Sequence, residues 1–69
     1  MMHYMDVSAE SLAHVIGSRI KQERSNRRWT LDQLAEVAAV SRRMLVKVEQ
    51  GAVNPSVGTL LRLSDALGI

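Results

Sequence analysis

The sequence predicts an all-α fold of short helices, and three observations predict it. Apolar residues recur at helical spacing in several separate stretches, hydroxyl residues stand where helix N-caps belong (Thr30, Ser41, Ser56), and Gly51 and Gly68 follow periodic segments as stop signals. At 69 residues the chain makes one small domain at most. A chain this short buries only about 60% of its unfolded surface, so its stability is thin.

Met1 to Val7 shows no periodicity and reads, with Ser8, as a flexible N-terminal tail over residues 1–8. It carries no Arg or Lys to place in a minor groove. The domain proper then spans residues 9–69. Leu12, Ile16, Ile20 and Arg24 recur every four residues, with Ala13 and Val15 beside them, which predicts a first helix from Ser8 or Ala9 to Asn26. Arg24 continues the apolar stripe, so it needs a counter-charge.

Thr30-Leu31-Asp32-Gln33 spells a capping box, in which the Thr30 hydroxyl accepts from the Gln33 amide while the Gln33 side chain reaches back. Trp29 and Leu34 then occupy the two positions of a hydrophobic staple, making the sole tryptophan a structural clamp. Leu31, Leu34, Ala35 and Ala38 form the inner face of this second helix, which ends near Ala38. Asp32, Gln33 and Glu36 point outward.

Ser41 caps a third helix that Gly51 closes. Spacing its residues at about 100° puts Ser41, Leu45, Val48 and Glu49 toward one side and Arg42, Arg43, Val46, Lys47 and Gln50 toward the other. Glu49, on the edge of the buried face, is the natural partner for Arg24. Asn54-Pro55-Ser56 is a break followed by a cap, and Val57, Leu60, Leu61, Ser64 and Leu67 predict a fourth amphipathic helix ended by Gly68.

Composition excludes more than it proposes. With no cysteine there is no disulfide or thiolate metal site, and His3 and His14 cannot build a zinc site alone. No nucleophile motif, glycine-rich phosphate loop or carboxylate cluster appears, so neither an enzyme activity nor a cofactor is expected. His14, four residues after Glu10, reads as half of a surface pair. The longest apolar run, Val37 to Val40, is far short of the roughly 20 residues that a membrane span needs. The reading is of a cytoplasmic, nucleoid-associated protein.

The net charge of +2 is unevenly placed. From Gly17 to Gly51 eight bases face four acids, giving +4, while the first sixteen residues carry −2 and the last eighteen cancel. A localised basic face is the footprint of a polyanion binder. Two short helices with Ala39 and Val40 between them, the second bearing an outward basic face, are what a DNA-reading helix-turn-helix requires. Counted from Leu31 over residues 31–50, a small residue falls at position five (Ala35). Apolar residues fall at positions four, eight, ten, fifteen and eighteen (Leu34, Ala38, Val40, Leu45, Val48).

Over Ile16 to Ile69 the chain resembles the Cro/C1-type (XRE-family) helix-turn-helix domain. The residues that carry the likeness are Thr30 to Ala35, Val40-Ser41-Arg42-Arg43, Val48-Glu49-Gln50-Gly51, and Asn54-Pro55-Ser56 leading into Thr59-Leu60. The stretch Trp29 to Gly51 is also similar to regulators that join this domain to a C-terminal cupin sensor. The resemblance implies a compact, all-α, lambda-repressor-like domain of four to five helices. It places helix three in the major groove, with Arg42, Arg43 and Lys47 at the base-reading positions, Ser41 and Met44 near a thymine methyl or phosphate, and Arg24 and Glu49 as a buried ion pair. Two departures stand out. Leu31 occupies the position where many relatives have a phosphate-binding glutamine, and Ala39 replaces the usual turn glycine, a strain of about 1 kcal/mol if its φ is positive.

On physical grounds Arg42 and Arg43 can fork to guanine O6 and N7, and Lys47 reaches the same acceptors as a point donor. Backbone amides around Thr30 and Ser56 can hold phosphates. Arg28 and Asn54 join them as backbone candidates, as do Arg19 and Arg27 more weakly. The expected function is sequence-specific double-stranded DNA binding in a prokaryotic-type transcriptional regulator. The expected partner is a palindromic operator bound by a homodimer, with the dimerisation or small-molecule effector domain lying beyond Ile69. The rival readings are a protein-interaction or antitoxin-type module on the same fold, and a non-catalytic fragment of an enzyme.

Overall fold

The structure is a computed structural model that describes residues 8–69. Most of the expected tail, residues 1–7, lies outside the described residues. The described residues form four helices and no strand: α1 (Ala9–Asn26), α2 (Leu31–Ala38), α3 (Arg42–Glu49) and α4 (Val57–Leu67). Each starts at a hydroxyl N-cap whose oxygen accepts the backbone N–H three residues on: Ser8 from Ser11, Thr30 from Gln33, Ser41 from Met44, Ser56 from Thr59. The capping box at Thr30 is reciprocal, since the Thr30 N–H donates to Gln33 Oε1 at 2.7 Å while the Gln33 N–H donates to Thr30 Oγ1 at 3.1 Å.

All four helices stop in the same way, with a left-handed residue after the last turn and two backbone bonds folding back onto the final carbonyls. After α3 and α4 that residue is Gly51 (φ 71°) and Gly68 (φ 72°). After α1 and α2 it is Arg28 and Ala39, both at φ 57°, where a side chain meets the following carbonyl. Ala39, which replaces the usual turn glycine, does take a positive φ; the one at Arg28 has no glycine signal in the sequence.

The core is Ile20 of α1, Leu34, Ala35 and Ala38 of α2, Leu45 and Val48 of α3, and Leu63 and Leu67 of α4, with Ile16, Trp29, Leu31, Val40, Val53 and Ala66 packed around it. Helix α1 lies mainly on α3, and α2 is wedged between α3 and α4. The α1 and α3 backbones approach most closely at Gly17, where an added Cβ would collide with the Val48 carbonyl oxygen and stand 3.1 Å from that of Glu49. Arg27 fastens α1 to the end of α4, its guanidinium donating to the Leu67 carbonyl and, at 2.6 Å, to the Glu23 carbonyl.

Two stripes differ from expectation. Leu12 (48%) and Val15 (64%) are exposed, and the buried face of α1 runs through Ala13, Gly17 and Ile20. A four-residue repeat turns by about 40° at each step, so the row from Arg24 back to Leu12 drifts by about 120° and leaves the core. In α4, Val57 (75%) and Leu61 (61%) are exposed while Leu63 is fully buried. The buried residues of α4 are Leu63 and Leu67, four apart, with Leu60 half-buried on the same side, and Leu61 sits about 160° from Leu63.

Candidate nucleic-acid interface

Helix α3 separates its two faces cleanly. Leu45 and Val48 have no exposed surface, whereas Arg42, Arg43 and Lys47 are exposed, as the helical wheel required. Ser41 fixes the start of the helix, so Arg42 and Arg43 project from its first turn and Lys47 from the next. Met44 stands half out of the protein between them, 38% exposed. Arg43 and Lys47 have no carboxylate within ion-pair distance among the described residues. Arg42 has one: its Nε lies 3.1 Å from Asp32 Oδ1 on α2.

The Arg24–Glu49 pair holds this face in place from behind. Arg24 Nε donates to Glu49 Oε2 at 2.8 Å and Nη2 to Oε1 at 2.9 Å, a two-pronged fork, while Nη1 donates to the Trp29 carbonyl at 2.9 Å. The side chains are 14% and 6% exposed. The paired carboxylate raises the Arg24 pKa above its ordinary value, against the opposing effect of burial. One cluster thus ties the end of α1, the turn before α2 and the end of α3, and no buried side-chain nitrogen or oxygen among the described residues lacks a partner.

The other candidates divide by what already occupies them. Thr30 and Ser56 stand at the starts of α2 and α4. At Thr30 the capping box already uses the amides of Thr30 and Gln33, leaving those of Leu31 and Asp32 at that helix end. Asn54 Nδ2 donates to the Ala9 carbonyl at 3.0 Å, tying the α3–α4 loop to the start of α1. Arg28 is exposed at the end of α1. Arg19 pairs with Glu23 at 2.8 Å, and Arg27 is committed to Glu23 and Leu67. His14 lies with its imidazole against Gly51. Sequence reasoning missed the Arg27 clasp, the Asn54 tie and the Asp32–Arg42 pair; only the last had a signal, an acid on the outward face of the helix preceding the basic one.

A family model described as "Helix-turn-helix domain" matches residues 15–69. The chain is 37% identical over 60 residues to the HTH-type transcriptional regulator SutR of Escherichia coli (strain K12), covering 87% of this chain and 34% of that protein. It is 46% identical over 54 residues to the immunity repressor protein of Bacillus phage phi105, covering 78% of this chain and 38% of that protein. The chain therefore spans little more than a third of the length of these relatives. No solved structure matches it. No helix among the described residues is long and apolar enough to cross a membrane. The match over residues 15–69, the four capped helices and the two regulator relatives together show that the chain belongs to the helix-turn-helix domain family, in its Cro/C1 (XRE) form.

Proposed function

We propose that this chain is the double-stranded DNA-reading domain of a transcriptional regulator, with α3 entering the major groove. The observation that carries this reading is the division of α3, whose inner side is fully buried while its outer side presents Arg42, Arg43 and Lys47 to solvent. Two relatives named as a transcriptional regulator and a repressor support the regulatory role. Arg43 and Arg42 fork to guanine O6 and N7, and Lys47 donates to the same kind of acceptor, so the half-site contains guanine. Ser41 and Met44 lie against a thymine methyl or a phosphate. Thr30, Ser56, Arg28 and Asn54 flank them along the sugar-phosphate backbone, helped by the N-terminal ends of α2 and α4.

One domain offers few base contacts, so the working form is a homodimer on a palindromic operator whose half-sites lie about 34 Å apart. Selecting duplexes from a random pool and comparing the winner with a scrambled duplex tests the reading. Arg43→Ala relaxes selectivity at one base pair by about 1–3 kcal/mol and leaves the melting temperature unchanged. Equal binding of both duplexes by the wild-type chain overturns it.

The alternative is a protein-interaction or antitoxin-type module on the same fold. Exposed Leu12 and Val15 on α1, and Val57 and Leu61 on α4, are the observation that favours it.

A further inference from the structure

We propose that Asp32 is a specificity-determining residue that positions Arg42 for base reading, an inference that rests on the DNA-binding reading of α3. Asp32 belongs to α2, yet its Oδ1 lies 3.1 Å from Arg42 Nε across the turn between the two helices. Both side chains are open to solvent, 78% and 60% exposed, so the contact does not hold the fold together. Its geometry has a different consequence. The carboxylate sits beside Nε as an ion pair without a hydrogen bond, and the two terminal nitrogens, which it does not engage, remain as the pair of donors that matches guanine O6 and N7.

A long arginine side chain on a helix surface samples many rotamers, and ordering it on binding opposes association. A carboxylate anchored on the neighbouring helix removes part of that freedom before DNA arrives. Asp32 itself stands at the second position of α2, inside the Thr30–Gln33 capping box that holds this turn of backbone. Arg43 and Lys47 have no such anchor among the described residues, so Asp32 acts on Arg42 alone.

The same carboxylate repels any phosphate that comes within a Debye length, about 8 Å, of it. Asp32 therefore lowers affinity for every duplex while sharpening the choice among duplexes, a trade of affinity for selectivity. The two effects separate experimentally because they move opposite quantities.

Binding of the Asp32→Asn chain to its selected duplex and to a scrambled duplex reads both. The variant binds the scrambled duplex more tightly, narrows the ratio of the two affinities by about fivefold, and loses the guanine preference at one base pair of a reselected site, with its melting temperature unchanged. In an Arg42→Ala background the same substitution shifts both affinities equally and leaves the ratio alone. If Asp32→Asn strengthens binding to both duplexes by the same factor in the presence of Arg42, the residue is only a repulsive charge and the proposal fails. If the wild-type chain binds no duplex, the DNA reading itself fails and takes this proposal with it.

Discussion

Replacing Glu49 by alanine strands Arg24, and the structure sets the size of the effect. The substitution removes two charge-assisted bonds of 2.8 and 2.9 Å, leaving the Trp29 carbonyl as the one acceptor for a guanidinium whose side chain is 14% exposed. Breaking a buried pair from one side costs about 3–5 kcal/mol. The surviving bond and the remaining exposure of Arg24 place this case at the lower end, about 3 kcal/mol. A domain of this length has a total stability of about 3–10 kcal/mol. At about 4–8 °C per kcal/mol the melting temperature falls by about 12–24 °C, and about 0–7 kcal/mol of stability remains. Thermal and urea melts followed by circular dichroism and Trp29 fluorescence measure it. Glu49→Gln, which keeps one acceptor and the volume, loses about half as much. Replacing both partners by apolar residues, Arg24→Met with Glu49→Leu, recovers most of the loss, because the penalty comes from the orphaned charge rather than from the absence of a bond. A Glu49→Ala melting temperature within about 3 °C of wild type would instead show that Arg24 is solvated without its partner and that the pair is not buried.

Gly17→Ala places a methyl group against the Val48 carbonyl oxygen, which is backbone and cannot rotate away, and destabilises the domain by about 1–3 kcal/mol in a urea melt. Ala39→Gly removes the side chain from a left-handed turn at φ 57°, and the relief exceeds the added freedom of the unfolded chain, giving a gain of about 0.5–1 kcal/mol. The Glu23 carboxyl is held below its ordinary value of 4.5, first by its hydrogen bond from Arg27 and then by that from Arg19. A lowered folded-state pKa contributes stability that is present above the unfolded value and is lost as pH falls through the folded one. Melting temperatures taken from pH 6 down to pH 2 therefore fall less for Glu23→Gln than for wild type over that acidic interval; parallel profiles contradict the assignment.

How legible the fold was depends on the range of the signal. Caps are local: Thr30, Ser41 and Ser56 lie three residues from the amides they accept, so spacing alone located α2, α3 and α4. The Arg24–Glu49 pair was legible because each charge interrupts an otherwise apolar face, and two such misfits have a strong reason to meet. Choosing among overlapping stripes failed where leucines are dense. In Val57 to Leu67 the rows containing Leu61 and Leu63 both look helical, and the packing of α2 against α4 decides between them. Arg27 on the Leu67 carbonyl and Asn54 on the Ala9 carbonyl reach across 40 and 45 residues to backbone groups that have no residue-type signature. The basic face of α3 was legible in position, but the engagement of Arg42 by Asp32 depends on how the turn at Ala39 and Val40 sets one helix against the other.

The outer face of α3 is proposed to read duplex DNA. Its most direct test is the affinity of the chain for its selected duplex measured across a series of salt concentrations, with a scrambled duplex and the Arg43→Ala chain alongside. The expected result is a log-linear fall with a slope of about −0.9 for each phosphate contacted, a large separation between selected and scrambled duplexes, and a separation that shrinks in Arg43→Ala while the slope stays nearly the same. Identical affinities for the two duplexes at every salt concentration, or an Arg43→Ala chain that discriminates as well as wild type, would contradict it.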